Sequence, residues 1–68
     1  MAIENVDNST ALYKLGNLYE KQKKLYLAEK YYLMAIENGN LMATSKLGCL
    51  YYERNKFKLA EKYYLMVI

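Results

Sequence analysis

The chain contains the octapeptide Leu-Ala-Glu-Lys-Tyr-Tyr-Leu-Met twice, at residues 27–34 and, unchanged, at residues 59–66. Neither copy contains glycine or proline, and Ala28, Tyr32 and Ala35 follow a spacing of i, i+4 and i+7. This spacing places the three side chains on one face of an α-helix. A second apolar stripe runs beside the first, which is typical of a helix packed between neighbouring helices. We interpret the octapeptide as part of the inner helix of a stacked helical repeat.

The repetition extends well beyond the octapeptide. Residues 14–36 and 46–68 are identical at 15 of 23 aligned positions, with an offset of 32 residues. Identity at this level indicates a duplication, and a duplicated unit of this length is typical of repeat arrays. We therefore predict a single domain over residues 1–68, with repeat one at about 9–40 and repeat two at about 41–68.

Residues 1–8 form a leader that resembles the tail of a preceding repeat. Its first five residues, Met-Ala-Ile-Glu-Asn, are the same as residues 34–38. This match predicts that the chain is a fragment trimmed from a longer array, or a natural or designed unit that stacks head to tail.

The apolar periodicity predicts an all-α fold with four helices. Residues 7–10 are helix N-cap types, so the first helix should begin there and end near Gln22. The other three helices are predicted at about 25–38, 41–54 and 57–68.

Single residues mark the ends and close contacts of these helices. Gly39 is well placed as a left-handed C-cap, Asn40 as the N-cap of the next helix, and Asn55 as a left-handed turn residue. Gly16 lies inside a predicted helix, where glycine costs about 1 kcal/mol relative to alanine. We expect a neighbouring helix to pass too close to Gly16 for a Cβ atom.

The composition argues against catalysis. The chain has no histidine and a single cysteine, Cys49, so a Cys–His pair cannot form and the soft metal ligands are missing. Glu29 and Glu61 each stand beside a lysine, and we interpret them as solvated helix charges rather than as an acid–base pair. We predict that the protein is not an enzyme and binds no cofactor and no metal.

Charge and hydropathy also limit the partners and the location. The net charge of +3 is mild and does not indicate nucleic-acid binding. No N-terminal segment has the pattern of a signal peptide, and no apolar run is long enough to span a membrane. A lone cysteine cannot form an internal disulfide, which fits a reducing compartment. We predict a cytoplasmic (intracellular) protein without a membrane partner.

The pattern Leu-x2-Leu-Gly-x2-Tyr followed by Ala-x3-Tyr, at residues 12–32, resembles the tetratricopeptide repeat, and residues 44–64 repeat it in register. Thr44 replaces the first large apolar residue of the second copy, the closing proline is missing, and the period is 32 rather than about 34 residues. The linker at residues 35–40 and the alanine at 43 look more like the Sel-one-like subclass. The resemblance implies two antiparallel helical hairpins stacked as a short right-handed solenoid.

In the family, the first helix of each hairpin lines a concave face that holds peptides or partner proteins. The resemblance therefore implies the following candidate ligand contacts: Tyr13, Lys14, Asn17, Glu20, Lys21, Ser45, Lys46, Cys49, Tyr52 and Glu53. The family's clamp of lysine, asparagine and arginine on a peptide carboxylate is matched here only by Asn17, with Lys14 and Lys46 nearby. A solvated groove of mixed charge is the interpretation that we prefer.

The nine tyrosines allow a second interpretation, a stacking platform for RNA. The family's core positions account for four of them, and aromatic residues at helical spacing normally pack in a core. We therefore expect Tyr19, Tyr32, Tyr51 and Tyr64 in the core, and only Tyr13, Tyr26 and Tyr52 to be available to a ligand. We do not expect nucleic acid as a partner.

The last predicted helix carries a candidate self-association stripe of Leu59, Tyr63, Met66 and Val67. The inner helix of a solenoid is normally covered by the next repeat, and an exposed apolar patch marks an association surface. We predict a homo-oligomer, first of all a two-fold dimer, with head-to-tail stacking as the second option.

Three functions remain open from the sequence. The first is a scaffold for protein–protein or peptide interaction, or a fragment or minimal model of one. The second is a structural self-assembling unit without a ligand, and the third is an RNA-binding helical repeat.

Overall fold

The structure, a computed structural model, describes residues 8–68 and consists of helices and the turns between them. The four helices are α1 (Asn8–Lys21), α2 (Leu25–Glu37), α3 (Leu41–Glu53) and α4 (Phe57–Met66). The predicted all-α class and the number of helices are confirmed. The leader predicted at residues 1–8 lies almost entirely outside the described residues.

Helices α1, α2 and α3 end in the same way. Each of them ends one residue before its predicted end. After α1, the Lys24 amide donates to the Tyr19 carbonyl at 2.9 Å and the Lys23 amide donates to the Glu20 carbonyl at 2.9 Å. This pair of bonds is a Schellman motif, whose central residue takes a positive φ. The same pair of bonds follows α2, around Gly39, and α3.

The central residues of the three motifs are Lys23 (φ 64°), Gly39 (φ 92°) and Asn55 (φ 64°). The left-handed conformations predicted for Gly39 and Asn55 are confirmed. Lys23 lies between the first two predicted helices, where no left-handed residue was predicted. A lysine is unfavourable in this conformation because its Cβ approaches the following carbonyl oxygen.

Asn40 lies at the junction between the two repeats and forms hydrogen bonds on both sides of it. Its side-chain Oδ1 accepts a hydrogen bond from the Ala43 amide at 2.9 Å, which confirms the predicted N-cap of α3. Its Nδ2 donates to the Ser9 carbonyl at 3.3 Å. The start of α1 therefore lies beside the start of α3, and one buried side chain joins the two repeats.

Each helix packs against the next one in the chain, α1 on α2, α2 on α3 and α3 on α4. A Cβ atom added at Gly16 would lie 2.5 Å from the ring of Tyr32, and one added at Gly48 would lie 2.8 Å from the ring of Tyr64. The close approach predicted at Gly16 is confirmed, and it recurs in the second repeat. The core is centred on the two middle helices and comprises Ala28, Tyr32, Ala35, Ala43, Leu47, Leu50, Tyr51 and Ala60.

Candidate functional site

A groove of about 550 Å³ opens between α1, the turn that follows it, and α3. The groove has polar and charged walls. Its lining residues are Asn17, Glu20, Lys21, Lys23, Leu25, Lys46 and Glu53.

Five of the ten candidate contact residues line this groove: Asn17, Glu20, Lys21, Lys46 and Glu53. The other five, Tyr13, Lys14, Ser45, Cys49 and Tyr52, are not among its lining residues. Lys23 and Leu25 belong to the groove and were not predicted as contacts. The Schellman turn brings these two residues beside α3, and the sequence signal for that turn was only a pair of lysines.

The fully buried Tyr32 bonds to two of the residues that line the groove. Its hydroxyl lies 2.6 Å from Asn17 Oδ1 and 2.7 Å from Glu20 Oε1. A phenol has one proton, so it donates to one of these oxygens at a time, and the charged carboxylate of Glu20 is the stronger acceptor. Asn17 Oδ1 is directed at Tyr32, which leaves the NH₂ group of Asn17 for other partners.

The environment of Tyr32 agrees with this assignment. Burial raises the pKa of Tyr32 well above its usual range, and the hydrogen bond to Glu20 and the charge of Glu20 raise it further. The ring of Tyr13 packs beside that of Tyr32, with centroids 6.2 Å apart and planes at 44°. Tyr13 is half-buried and packs against Tyr32 rather than lining the groove.

The charged side chains of the groove differ in whether they form an ion pair within the protein. Lys46 Nζ lies 3.8 Å from Glu20 Oε1, and this ion pair joins α3 to α1. Glu20 therefore meets both the Tyr32 hydroxyl and the Lys46 ammonium group. Lys21 and Lys23 are exposed at the mouth of the groove. Together with Lys46 they give three ammonium groups against two carboxylates.

The second repeat departs from the first at the corresponding positions. Cys49 stands where repeat one has Asn17, and Tyr52 stands where it has Glu20. The Tyr64 hydroxyl lies 3.2 Å from Cys49 Sγ, and this hydrogen bond, with burial, raises the pKa of Tyr64 to about 12. Tyr52 is 59% exposed and meets the edge of a neighbouring aromatic ring. The bonding of a tyrosine hydroxyl to an asparagine and a glutamate is thus found in repeat one and not at the matching positions of repeat two.

Glu29 is the residue that the sequence analysis placed wrongly. We predicted a solvated helix charge, but its carboxylate accepts a hydrogen bond from Tyr51 Oη at 2.6 Å and one from Arg54 Nη1 at 2.9 Å. Tyr51 belongs to α3, and Arg54 is the residue that follows its last turn. Burial by itself raises the pKa of Glu29, but the hydrogen bonds from Tyr51 and Arg54 and the nearby positive charges outweigh it and lower the pKa from its usual value.

Glu61, the repeat equivalent of Glu29, is exposed as predicted. The residues of the predicted self-association stripe do not share one environment. Leu59, Met66 and Val67 are exposed on α4. Tyr63 is half-buried, and its ring lies 5.6 Å from that of Tyr51.

Residues 8–68 contain no group of three histidine, cysteine, aspartate or glutamate side chains that could hold a metal ion. In the same range, no helix combines the length and apolar character needed to cross a bilayer. Comparisons with protein-family models, curated proteins and solved structures found no match for this chain.

Proposed function

We propose that this protein is a helical-repeat module for protein–protein interaction, which binds an extended peptide segment in the groove. Its repeats would form two antiparallel hairpins, stacked as a short right-handed solenoid similar to tetratricopeptide and Sel-one-like repeats. The 32-residue duplication and the order of contacts support this arrangement. Along α1, the contacts run in the opposite direction to the sequence of α2. Ser9, at the start of α1, bonds to Asn40 after the end of α2, and Gly16 packs against Tyr32 in the middle of α2. Tyr19, near the end of α1, bonds to Lys24 just before α2 begins.

The observation that carries the proposal is the groove itself, which spans both repeats and combines the Asn17 amide with surplus lysines. Because Asn17 Oδ1 bonds to Tyr32, its NH₂ group can donate to a backbone carbonyl of an extended chain. The exposed Lys21 and Lys23 can bind carboxylates by charge-assisted hydrogen bonds. We therefore propose an acidic peptide as the ligand.

We also propose that the module has no catalytic activity. The chain has no histidine, and the one thiol, that of Cys49, faces the phenol of Tyr64 rather than a base. RNA stacking is a weaker proposal, because Tyr13, Tyr32 and Tyr51 are engaged in contacts inside the protein. Self-association is the second candidate function, and the exposed apolar residues of α4 favour it.

A peptide library displayed on phage and panned on the immobilised chain tests the groove. Enriched decapeptides are synthesised with a fluorophore, and their affinity is measured by fluorescence anisotropy. We expect sequences rich in aspartate and glutamate, and a loss of affinity of about tenfold in Lys21→Glu or Lys23→Glu.

Lys62→Glu is the matched control for this experiment, because it makes the same charge change at an exposed position of α4. It should retain most of the affinity. Unchanged binding by the two groove variants, or the absence of any enriched acidic peptide, would overturn the proposal. Circular dichroism on the same samples checks that the variants remain helical.

A further inference from the structure

Glu29, Leu33 and Ile36 form a stripe on α2, at spacings of four and three. These positions lie on one side of a helix. Leu33 and Ile36 are half-buried and pack against the core, and Glu29 receives one hydrogen bond from Tyr51 of α3 and one from Arg54, just beyond its end. The surface that covers Glu29 therefore supplies two hydrogen-bond donors, and Leu50, beside Tyr51 in the chain, is fully buried.

The duplicated sequence builds the same stripe a second time on α4. Glu61 and Leu65 stand at the positions of Glu29 and Leu33, within an identical octapeptide. Leu65 is 60% exposed and Glu61 is also exposed. The two stripes have the same chemistry, and α3 covers only the first.

The helix α1 carries the complementary surface. Leu18 stands at the repeat position of Leu50, and it is 48% exposed whereas Leu50 is 0% exposed. Tyr19 stands at the position of Tyr51, and Gln22, one residue past the end of α1, stands at that of Arg54. Gln22 offers an amide donor where Arg54 offers a guanidinium.

The Tyr19 ring is also oriented like that of Tyr51. The ring centroids of Tyr19 and Tyr31 lie 5.5 Å apart. Those of Tyr51 and Tyr63, the repeat equivalents, lie 5.6 Å apart. The Tyr19 hydroxyl can therefore approach a neighbouring carboxylate in the way that the Tyr51 hydroxyl approaches Glu29.

We propose that α1 of a second copy of this chain packs on α4, so that copies associate head to tail in the register of the repeat. In this interface, Tyr19 and Gln22 of the second copy donate hydrogen bonds to the Glu61 carboxylate, and Leu18 packs on Leu65. The inference concerns a different surface from the groove. It rests on the self-association named as the second candidate function and gives it a definite interface.

Donor complementarity decides between this arrangement and a symmetric pairing of two α4 helices through the same Glu61 and Leu65 stripe. A two-fold interface on that stripe would bring two Glu61 carboxylates to the same apolar surface. Burying a carboxylate without donors is costly, and like charges add repulsion. The α1 surface supplies the donors, so the same carboxylate is satisfied.

A complementation experiment tests the proposal directly. Leu18→Glu disables the α1 surface and Leu65→Glu disables the α4 surface, and both residues are largely exposed, so the fold should persist. Light scattering over a concentration series should show growing assemblies for the unaltered chain and the mass of a single chain for each variant. An equimolar mixture of the variants should form a 1:1 dimer, because each variant retains the surface that the other lacks.

Tyr26→Glu is the control for the complementation experiment, since Tyr26 is 81% exposed and lies outside both surfaces. It should assemble like the unaltered chain. A monomeric unaltered chain at millimolar concentration would overturn both self-association and this interface. Association that Leu18→Glu leaves unchanged, or a mixture that does not dimerise, would overturn the head-to-tail interface alone.

A gain of affinity gives a second measurement of the same interface. Gln22→Arg places after α1 the guanidinium that Arg54 supplies after α3. A hydrogen bond between charged groups is stronger than one from a neutral amide, so we expect association about three- to tenfold tighter. Combining Gln22→Arg with Glu61→Gln should remove this gain, and a gain that survives Glu61→Gln would contradict the assigned contact.

Discussion

Glu29 and Glu61 share the two residues before them and the five residues after them in the octapeptide, yet within residues 8–68 hydrogen-bond donors reach Glu29 and not Glu61. Tyr51 and Arg54 reach Glu29 from 22 and 25 residues farther along the chain. The side chain of Glu29 is 21% exposed and that of Arg54 is 23% exposed, so solvent screens this ion pair less than a surface pair. Hydrogen bonds to a charged group contribute roughly 1.5–3 kcal/mol each at most, with partial exposure reducing the value.

The stability of the protein should therefore depend on pH through Glu29. The pKa of Glu29 is lowered in the folded protein, so its stabilising contribution is present above about pH 4.5 and is lost as the pH falls through the folded-state pKa. Urea unfolding at pH 6 and pH 3 measures this loss in dilute samples. Glu29→Gln should lower stability at pH 6 by about 1 kcal/mol and make the acid-induced loss smaller by a similar amount.

Glu61→Gln is the control for that comparison, because it makes the same chemical change in the same octapeptide. It should leave the pH dependence of the unaltered chain in place. Equal acid-induced losses in Glu29→Gln and the unaltered chain would show that the carboxylate of Glu29 adds no stability.

At the scale of the helices, the three Schellman motifs define where α1, α2 and α3 end. Each motif requires one residue with a positive φ, and the chain uses a lysine, a glycine and an asparagine for it. Gly39 is the cleanest of the three for a test, because a Cβ atom added there would meet nothing within 4 Å. Any effect of substitution therefore comes from the backbone conformation alone.

Gly39→Ala should destabilise the protein by about 1 kcal/mol, since an L-residue with a side chain disfavours the left-handed region. The loss of stability in Gly39→Asn should be at most about half of the loss in Gly39→Ala, because asparagine tolerates this conformation, as Asn55 does in the next motif. Thermal unfolding followed by circular dichroism measures both changes. Equal stability of the alanine and glycine proteins would contradict the argument.

At the scale of the whole molecule, the buried core crosses the boundary between the repeats. Leu50 and Tyr51 of α3 belong to the same cluster as Ala28 and Tyr32 of α2. Repeats that share a core are stabilised mainly through their interface with the neighbouring repeat. The two repeats should therefore unfold together rather than one after the other.

Leu50→Ala tests this coupling, with Leu18→Ala as its repeat-matched control. Leu50 is fully buried, so its truncation should lower stability by about 2–5 kcal/mol, whereas the exposed Leu18 should cost under about 1 kcal/mol in the monomer. Unfolding should remain a single transition in both variants, seen alike by circular dichroism and tyrosine fluorescence. Separate transitions would show that the repeats fold independently.

Sequence reasoning succeeded where the controlling interactions are local. The helices, the cap at Asn40, the turns at Gly39 and Asn55, and the close approach at Gly16 follow from apolar spacing and from the properties of single residues. Half of the candidate contact residues line the groove because helical periodicity fixes which residues share a face. Lys23 escaped this reasoning, because the hydrogen bonds of the turn impose a conformation that lysine does not favour by itself.

The sequence by itself determined a duplicated, all-helical chain, because periodicity and capping act within a few residues. Only the tertiary structure decided which copy of an identical segment is covered. Glu29 and Glu61 share their local sequence, so their different surroundings come from α3, which packs on α2 and leaves the matching face of α4 exposed. Similarly, the sharing of one phenol proton at Tyr32 depends on two α1 side chains that meet it only after the helices pack. Burial and charge depend on what lies alongside a helix, and local sequence does not specify that neighbour.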